Sequence, residues 1–314
     1  SRWAAYGALL QKAPVVPVLI VLAVVLALAS PALRMQQGFP DDGSAAKGSP
    51  VRVGYDLLAK GFGPGINGPF FVAVKADAAK ADSTTVAAVV KALESTPGVA
   101  STLPTSGMMP LVALDKKLFT DGVTAVIVYP TTSPSDPATA ALLDRIRSST
   151  TDEVRTATGA AIYVGGAQAV ATDFTTVLAG ALPLFLLVVV GFGFLALMLL
   201  FHSLVIPLTA AITSLLSFGA SLGITVAVFQ LGVGDAVLGV SGTGPILPFL
   251  PIMVFAILFG LSMDYQVFLL TKIQEKYKEG LSNHDAVVEG LAGTARVITS
   301  AARRGMARKK KDQA

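Results

Sequence analysis

The distribution of charge constrains this chain more than any other feature of its sequence. Between Val177 and Leu270 there is no lysine or arginine, and the acidic residues are Asp235 and Asp264 alone. The other 18 of the 20 acidic residues, and all 24 lysines and arginines, lie outside this segment. Only 14% of all residues are charged, against about 25% in a typical soluble domain. The sequence therefore predicts an integral membrane protein with several α-helical spans.

Four segments are long and apolar enough to cross the hydrocarbon core, which takes roughly 20 residues of helix. The predicted spans are residues 15–33, 177–201, 204–229 and 248–270. Residues 1–14 are predicted to be a cytoplasmic juxtamembrane segment. Residues 271–314 are predicted to be cytoplasmic, with the truncated start of a fifth span followed by a basic tail.

Residues 34–176, between the first and second spans, have the mixed composition of a soluble domain. Its β-rich runs bounded by turn residues predict strands, and its apolar residues at helical spacing after Ser or Asp predict helices. The predicted strands are Pro69–Lys75, Val123–Tyr129 and Ala161–Val164, and the predicted helices are Ser83–Glu94 and Pro137–Ser148. The predicted fold class is an α-helical polytopic membrane protein with an inserted α+β domain.

The orientation follows from the excess of lysine and arginine on cytoplasmic loops. Residues 271–314 contain 10 lysines and arginines against 5 acidic residues, so this end is predicted to be cytoplasmic. Counting back through four spans places residues 34–176 on the extracytoplasmic side. The chain is thus predicted to be a multi-pass protein of the cell membrane.

Asp264 is the acidic residue placed within a predicted span, in the run FGLSMDYQVFLL. A charged Asp at the centre of a span costs about 2.5–3.5 kcal/mol on insertion scales, and such residues are usually functional. We predict that Asp264 exchanges a proton, with the Tyr265 hydroxyl beside it. Gly260, one turn earlier, would let another helix approach the same face. The alternative is a neutral carboxyl group that only joins helices by hydrogen bonding.

Other motifs indicate weaker hypotheses. The glycines of GFGPGING (residues 61–68) match G-x-G-x-x-G, but a helix precedes and a strand follows, so a tight turn is predicted in place of a nucleotide site. Asp235 lies in a G-x-G-D string, as in intramembrane aspartyl proteases, but in a predicted outer loop. His202 and His284 lack metal-ligand spacing, and the chain has no cysteine. We therefore expect no metal or organic cofactor and no nucleic-acid partner.

Several strings together resemble the MMPL branch of the resistance-nodulation-division (RND) transporters. FGLSMDYQVFLLTKIQEKY (residues 259–277) resembles the fourth helix of a repeat in that family, which carries an Asp-Tyr pair. Residues 165–168 (GGAQ) with Asp173 resemble its entry motif before the second span. Residues 41–44 (DDGS), 55–58 (YDLL) and 61–69 resemble the region after the first helix of its second repeat.

This resemblance implies an RND half-transporter, in which residues 34–176 are porter-like and Asp264 and Tyr265 form half of a proton relay. Protons would be the coupling ion, and lipids or other hydrophobic molecules the exported substrates. The expected partners are membrane lipids and either a homologous first-half repeat or a second copy. Gln266 stands where the family pattern has Glu, and His202 where it has Arg. Because the chain starts at Ser1 and its predicted fifth span is cut short, we expect a fragment of a longer protein.

Two functions of other classes remain alternatives to a proton-driven exporter. One is a membrane-anchored scaffold or binding module without transport activity, whose outer domain recruits a partner. The other is an intramembrane aspartyl protease, which requires the carboxyls of Asp235 and Asp264 to lie within a few ångströms.

Overall fold

The computed structural model describes residues 15–77, 81–113, 118–240 and 242–294, without the side chains of residues 235 and 236. Its longer helices are α1 (Val15–Ala29), α2 (Pro50–Phe62), α3 (Ser83–Ser95), α4 (Pro137–Arg145), α5 (Thr151–Thr158), α6 (Ala167–Phe201), α7 (Val205–Thr225) and α8 (Leu250–Lys278). Its strands are β1 (Phe70–Lys75), β2 (Val99–Leu103), β3 (Val123–Pro130) and β4 (Ala161–Gly165). Residues 283–294 form a further helix.

The chain divides into two compact units. The sheet unit comprises Met35–Ala181 and Ala227–Pro248, and the helical unit comprises the residues up to Arg34, Leu182–Val226 and those from Phe249 onward. Among the described residues, four helices are long and apolar enough to cross a membrane: Val15–Arg34, Ala167–Phe201, Val205–Gln230 and Leu250–Lys278. The protein is therefore mostly helical, with four candidate membrane helices and one small sheet.

The sheet has four antiparallel strands in the order β2-β3-β1-β4. Side chains alternate across it, as the two-residue period of a strand requires: Phe70, Val72 and Val74 of β1 are fully buried, while Phe71 and Lys75 are exposed. The buried side packs against α3, α4 and α5, which contribute Leu93, Leu142, Val154 and other apolar side chains. One layer of helices on one side of a sheet thus forms the core of this unit.

Side-chain caps fix where the helices of the sheet unit begin. The Asp82 carboxylate accepts hydrogen bonds from the backbone N–H groups of Thr84 and Thr85, at 3.0 Å each, at the start of α3. Asp136 caps α4 in the same way through the Ala138 N–H, at 2.8 Å. Because the first N–H groups of a helix have no partner within the helix, these carboxylates supply the missing acceptors.

The glycine-rich segment between α2 and β1 forms the tight turn that the sequence predicted, and it also makes a close backbone contact that the sequence did not predict. Residues Pro64–Asn67 form one short 3-10 turn there. A Cβ atom at Gly65 would lie only 1.9 Å from the carbonyl oxygen of Pro130, at the end of β3. The position therefore requires glycine, because any side chain would push the turn away from the sheet.

Arg147 joins the helical layer of the sheet unit to the first turns of α6. Its guanidinium forms a bidentate ion pair with the Asp173 carboxylate and also donates to the Val164 carbonyl at 3.1 Å. The hydrogen bonds from Arg147 hold the pKa of Asp173 below its ordinary value of 3.8. Asp173 is 54% exposed, so solvent screening limits the contribution of the pair to about 0–1 kcal/mol.

The helical unit is held by aromatic packing and by close helix contacts at glycines, among them one at Gly223. The Phe255 ring on α8 lies 5.1 Å from Phe218 on α7 and 6.0 Å from Phe185 on α6, between ring centroids. α1 meets α7 where a Cβ atom at Gly223 would lie 1.9 Å from the carbonyl oxygen of Leu28. Small residues allow this kind of approach between membrane helices.

Most of the predicted elements are confirmed, including the three strands of residues 69–75, 123–129 and 161–164. β2 and α5 were not predicted. α6 begins at Ala167, ten residues before Val177, where the second span was predicted to start. His202 adopts a left-handed conformation (φ 49°) in the short turn between α6 and α7 and is exposed.

We expect Gly65→Ala to destabilise the sheet unit by about 1–3 kcal/mol, the usual cost of overpacking, because the new methyl group collides with the Pro130 carbonyl. The measurement is thermal unfolding of the whole chain in detergent, followed by circular dichroism. Gly54→Ala in α2 is the matched control: its Cβ meets nothing within 4 Å, and an exposed helical Gly→Ala change stabilises by up to about 1 kcal/mol. Equal midpoints for the two variants would contradict the close contact.

The Arg147–Asp173 pair predicts a pH dependence of stability. A depressed folded-state pKa stabilises the fold above the unfolded value of about 3.8, and this stabilisation is lost as the pH falls through the folded-state pKa. Asp173→Asn should therefore lower the unfolding midpoint at about pH 7, and by less at about pH 2, because the pair weakens as the pH falls toward the folded-state pKa of Asp173. Asp152→Asn, at an exposed Arg155 pair, should change neither midpoint. A pH-independent effect of Asp173→Asn would show that the pair contributes nothing.

Candidate proton-relay site

Asp264 is the central residue of α8, with 14 helical residues on each side (250–263 and 265–278). Its side chain is exposed, and it shares one helix face with the exposed Met253, Ile257, Leu261 and Phe268. Successive members of this set are three or four residues apart, which is the spacing of one face. We call this set the open face of α8.

The carboxyl of Asp264 has no hydrogen bond or ion pair with any residue that the structure describes. Lys272 is the first cation along the helix, eight residues or about 12 Å further on, and its ammonium is paired with Glu275 at 2.6 Å. Lys276 is likewise paired with Glu279 at 2.6 Å. Both of these lysines are therefore engaged with their own carboxylates, and within the described part of the chain Asp264 is left without a counter-charge.

Tyr265 and Gly260 lie on α8 beside Asp264, but neither forms a described hydrogen bond with the Asp264 carboxyl. Tyr265 is half-buried and points to a different side of α8, since adjacent helix positions do not share a face. Gly260 is exposed on the open face, and a Cβ added there would meet nothing within 4 Å. A close helix contact at Gly260 remains a prediction, because no described helix of this chain makes it.

The opposite side of α8 packs against α7 through polar side chains. The Gln266 amide donates to Thr213 Oγ1 at 3.1 Å and lies 3.5 Å from Ser262 Oγ. Ser262 Oγ lies 3.3 Å from the hydroxyl of the buried Ser214. We call Thr213, Ser214, Ser262 and Gln266 the polar cluster. Hydrogen bonds between membrane helices contribute about 0.6 kcal/mol each on average.

Gln266 has one feature that no sequence pattern indicates. Its Oε1 atom is buried and accepts no hydrogen bond from the described residues. The sequence marked Gln266 only as a departure from the Glu of the family pattern, and it did not predict that this side chain faces α7. The spacing of Ser262 and Gln266, one turn apart on an apolar helix, was the available signal.

The sheet unit contains a cavity of about 300 Å³, the lower end of the range for ligand sites. Amide, hydroxyl and apolar side chains line it, including Gln36, Gln168, Thr172 and Phe39. The Phe39 ring packs against Phe174 with 5.6 Å between centroids. Among the described residues that line this cavity there is an acid, Asp136, but no lysine or arginine, so these residues offer an anionic group no counter-charge.

The described residues contain no group of three or more His, Cys, Asp or Glu side chains that could hold a metal ion. The side chain of Asp235 lies outside the described side chains. The hypothesis of a catalytic Asp235–Asp264 pair therefore stays a prediction from sequence.

The polar cluster predicts a measurable coupling between α7 and α8. Thr213→Val and Gln266→Leu, alone and combined, should give a coupling energy of about 0.6 kcal/mol, because both remove the same hydrogen bond. The measurement is a double-mutant cycle from unfolding of the whole chain in mixed micelles. Thr209→Val is the matched control, one turn away and bonded to its own helix backbone, and should couple by about zero. Equal coupling for Thr209 and Thr213 would contradict the contact.

Comparison with known proteins identifies the family. The profile of the MMPL family matches residues 48–303. The membrane protein YdfJ of Bacillus subtilis is 35% identical over 298 residues, which cover 94% of this chain and 39% of YdfJ. The haem uptake protein MmpL11 of Mycobacterium tuberculosis is 32% identical over 306 residues, covering 96% of this chain and 30% of that protein.

A further relative is the mycolic acid-containing lipids exporter MmpL11 of Mycolicibacterium smegmatis. It is 32% identical over 309 residues, which cover 96% of this chain and 30% of the exporter. The chain thus spans well under half the length of each of these three relatives. With its four apolar helices, the match supports a multi-pass membrane protein and confirms the resemblance seen in the sequence. The chain belongs to the MMPL family.

Proposed function

We propose that this chain is the second-repeat half of a proton-driven membrane transporter that exports lipids or other hydrophobic molecules. The observation that carries the proposal is the position of Asp264 at the centre of α8, on the open face. A carboxyl so placed has no structural contact to maintain within the described part of the chain. Its retention in an apolar helix is explained if it binds and releases protons.

The energy of the membrane supports this role for one carboxyl. A single charge that crosses the membrane potential carries about 2.3 kcal/mol per 100 mV, while an ionised Asp at the helix centre costs about 2.5–3.5 kcal/mol. The two quantities are similar in size. Protonation of Asp264 from one side and release to the other can therefore bias a two-state movement of the helices.

The open face needs a partner that covers it. Ile257, Leu261 and Phe268 would tolerate lipid, but Asp264 between them would not. We propose that a homologous first-half repeat, in the same longer protein, packs against this face with its own Asp-Tyr pair. Gly260 would then be the position of closest approach. A second copy of this chain is the alternative partner.

The sheet unit is proposed to be the porter-like, extracytoplasmic domain. The balance of 10 basic against 5 acidic residues in 271–314 supports this orientation. The cavity lined by Gln36, Phe39 and Gln168 is large enough for part of an amphiphile, with amides for a polar head and the Phe39 ring for an acyl chain. Export of mycolic acid-containing lipids by a named relative supports a lipid substrate.

The test uses the native protein reconstituted into vesicles with an imposed pH gradient and a fluorescent phospholipid as the transported probe. Asp264→Asn, which cannot release a proton, should abolish the gradient-dependent rate, and Asp264→Glu should retain part of it. Asp152→Asn, an exposed acid of the sheet unit, should transport like the unmodified protein.

Wild-type transport by Asp264→Asn would overturn the proton-relay role. Gradient-independent behaviour of every variant, the unmodified protein included, would instead favour the scaffold hypothesis. The MMPL family consists of transporters, and no described residue favours the protease hypothesis.

A further inference from the structure

α2 is amphipathic, but unlike the helices that cover the sheet it exposes its apolar side. None of its residues is buried. At 3.6 residues per turn its apolar side chains fill roughly half of the circumference, and they are Val51, Val53, Leu57, Leu58 and Phe62, with Gly54 and Gly61 among them. A helix of a soluble domain normally turns such an arc toward the core. We call these seven residues the apolar arc of α2.

The polar side of α2 is the side that holds it to the protein. Tyr55 donates from its hydroxyl to Asp41 at 3.0 Å, and Arg52 donates to the Gly43 carbonyl and pairs with Asp56 at 2.9 Å. Burial, followed by the nearby Asp41 charge, raises the pKa of Tyr55 to about 12. The hydrogen bonds of Tyr55 and Arg52 therefore fix the polar side of α2 against the rest of the sheet unit.

The apolar arc is consequently turned away from the rest of the sheet unit. Leu57 is 64% exposed and Phe62 is 75% exposed. Cβ atoms added at Gly54 or Gly61 would meet nothing within 4 Å. A continuous apolar side of this length on a helix marks a contact surface.

The residues that anchor α2 are close along the chain to two membrane spans. Asp41 is seven residues after Arg34, the last residue of the first candidate span, a reach of at most about 25 Å. The intervening segment is hydrogen-bonded to Ile246, through Gly38 N–H at 3.0 Å and through the Gln36 carbonyl at 2.8 Å. Ile246 is four residues before Leu250, where the last candidate span begins.

A second exposed apolar segment belongs to the same stretch of the sheet unit. Val237 is 89% exposed and Leu238 is 60% exposed. Gly242 lies against Ser44, the residue directly after the Arg52 partner Gly43, since a Cβ at Gly242 would be 2.1 Å from the Ser44 carbonyl oxygen. Leu238 lies 12 residues before Leu250, so this exposed segment, like α2, is close along the chain to a candidate span.

We propose that α2 is an interfacial helix that lies on the lipid surface at the sheet-unit side of the membrane, with its apolar arc in the boundary between headgroups and acyl chains. Helices with one apolar side and one charged side adopt this position. Lys60, at the edge of the arc, extends its ammonium toward the headgroups. This inference does not depend on transport, so its failure and the failure of the proposed function are separate outcomes.

The test uses nitroxide labels on single cysteines, since the native chain has none. The whole chain carries a label at Leu57, Leu58 or Phe62 in phosphatidylcholine vesicles, and collision with oxygen is compared with collision with a water-soluble nickel chelate. At these three positions the label should collide more often with oxygen than with the nickel chelate, as it should at Val18 of α1, which serves as the lipid reference. The nickel chelate should dominate at Lys60, and at a water reference on Glu153 of α5.

Two results would overturn the proposal. Labels at Leu57 and Phe62 that behave like Glu153 would show an apolar arc in water. Labels that are immobilised and shielded from both reagents would show a protein contact, from another segment or a second copy.

A second measurement replaces Phe62 by tryptophan in a Trp3→Phe background, which removes the one native tryptophan. Brominated phosphatidylcholine should quench Phe62→Trp severalfold more strongly than the control Lys60→Trp. Equal quenching of the two variants would contradict the proposal. Retained helical circular dichroism in both establishes that folding is unchanged.

Discussion

The low polarity of the hydrocarbon core is the constraint on which the rest of this protein depends. Without water, every backbone N–H and C=O group must be satisfied within its own segment, which leaves helices as the spanning elements. Charged side chains are expensive at the same depth, and the sequence from Val177 to Leu270 reduces them to Asp235 and Asp264. The charges return at once beyond Leu270, where Lys272 and Glu275 begin a series of paired ions on α8.

The two units stabilise their polar side chains in different ways. In the sheet unit, carboxylates such as Asp82 and Asp136 terminate helices, and Asp173 forms an ion pair that water screens. In the helical unit, the polar cluster relies on neutral amides and hydroxyls, which cost less to remove from water than ions. Asp264 follows neither solution. Among the described residues it neither caps a helix nor forms an ion pair, and it does not belong to the polar cluster. The fold alone therefore does not explain its environment.

Much of the fold could be read from sequence because apolar periodicity is strong in it. The alternation in residues 69–75 and the unbroken apolar runs left little choice of secondary structure. β2 was missed because Ser101 and Thr102 give a short strand a polar composition, and its place is set by pairing with β3. The sequence could not predict the direction in which the Gln266 side chain or the apolar arc of α2 points. Both directions depend on which side of the helix contacts the rest of the protein. Only Tyr55 and Arg52, once placed against Asp41 and Gly43, reveal that α2 is turned outward.

The close contact between Gly223 and Leu28 has a consequence for biosynthesis. Roughly 200 residues separate the two contact points along the chain, and at about 5–20 residues per second their synthesis is on the order of 10–40 s apart. During that interval α1 has emerged from the ribosome while the glycine against which it packs does not yet exist. Its run of valine, leucine, isoleucine and alanine, broken only by Pro17, has no charged or polar side chain from Val15 to Ala29, so lipid can cover the side of α1 that α7 will later contact. The apolar composition of α1 thus suits a segment that must stay in the bilayer without this contact until α7 has been made.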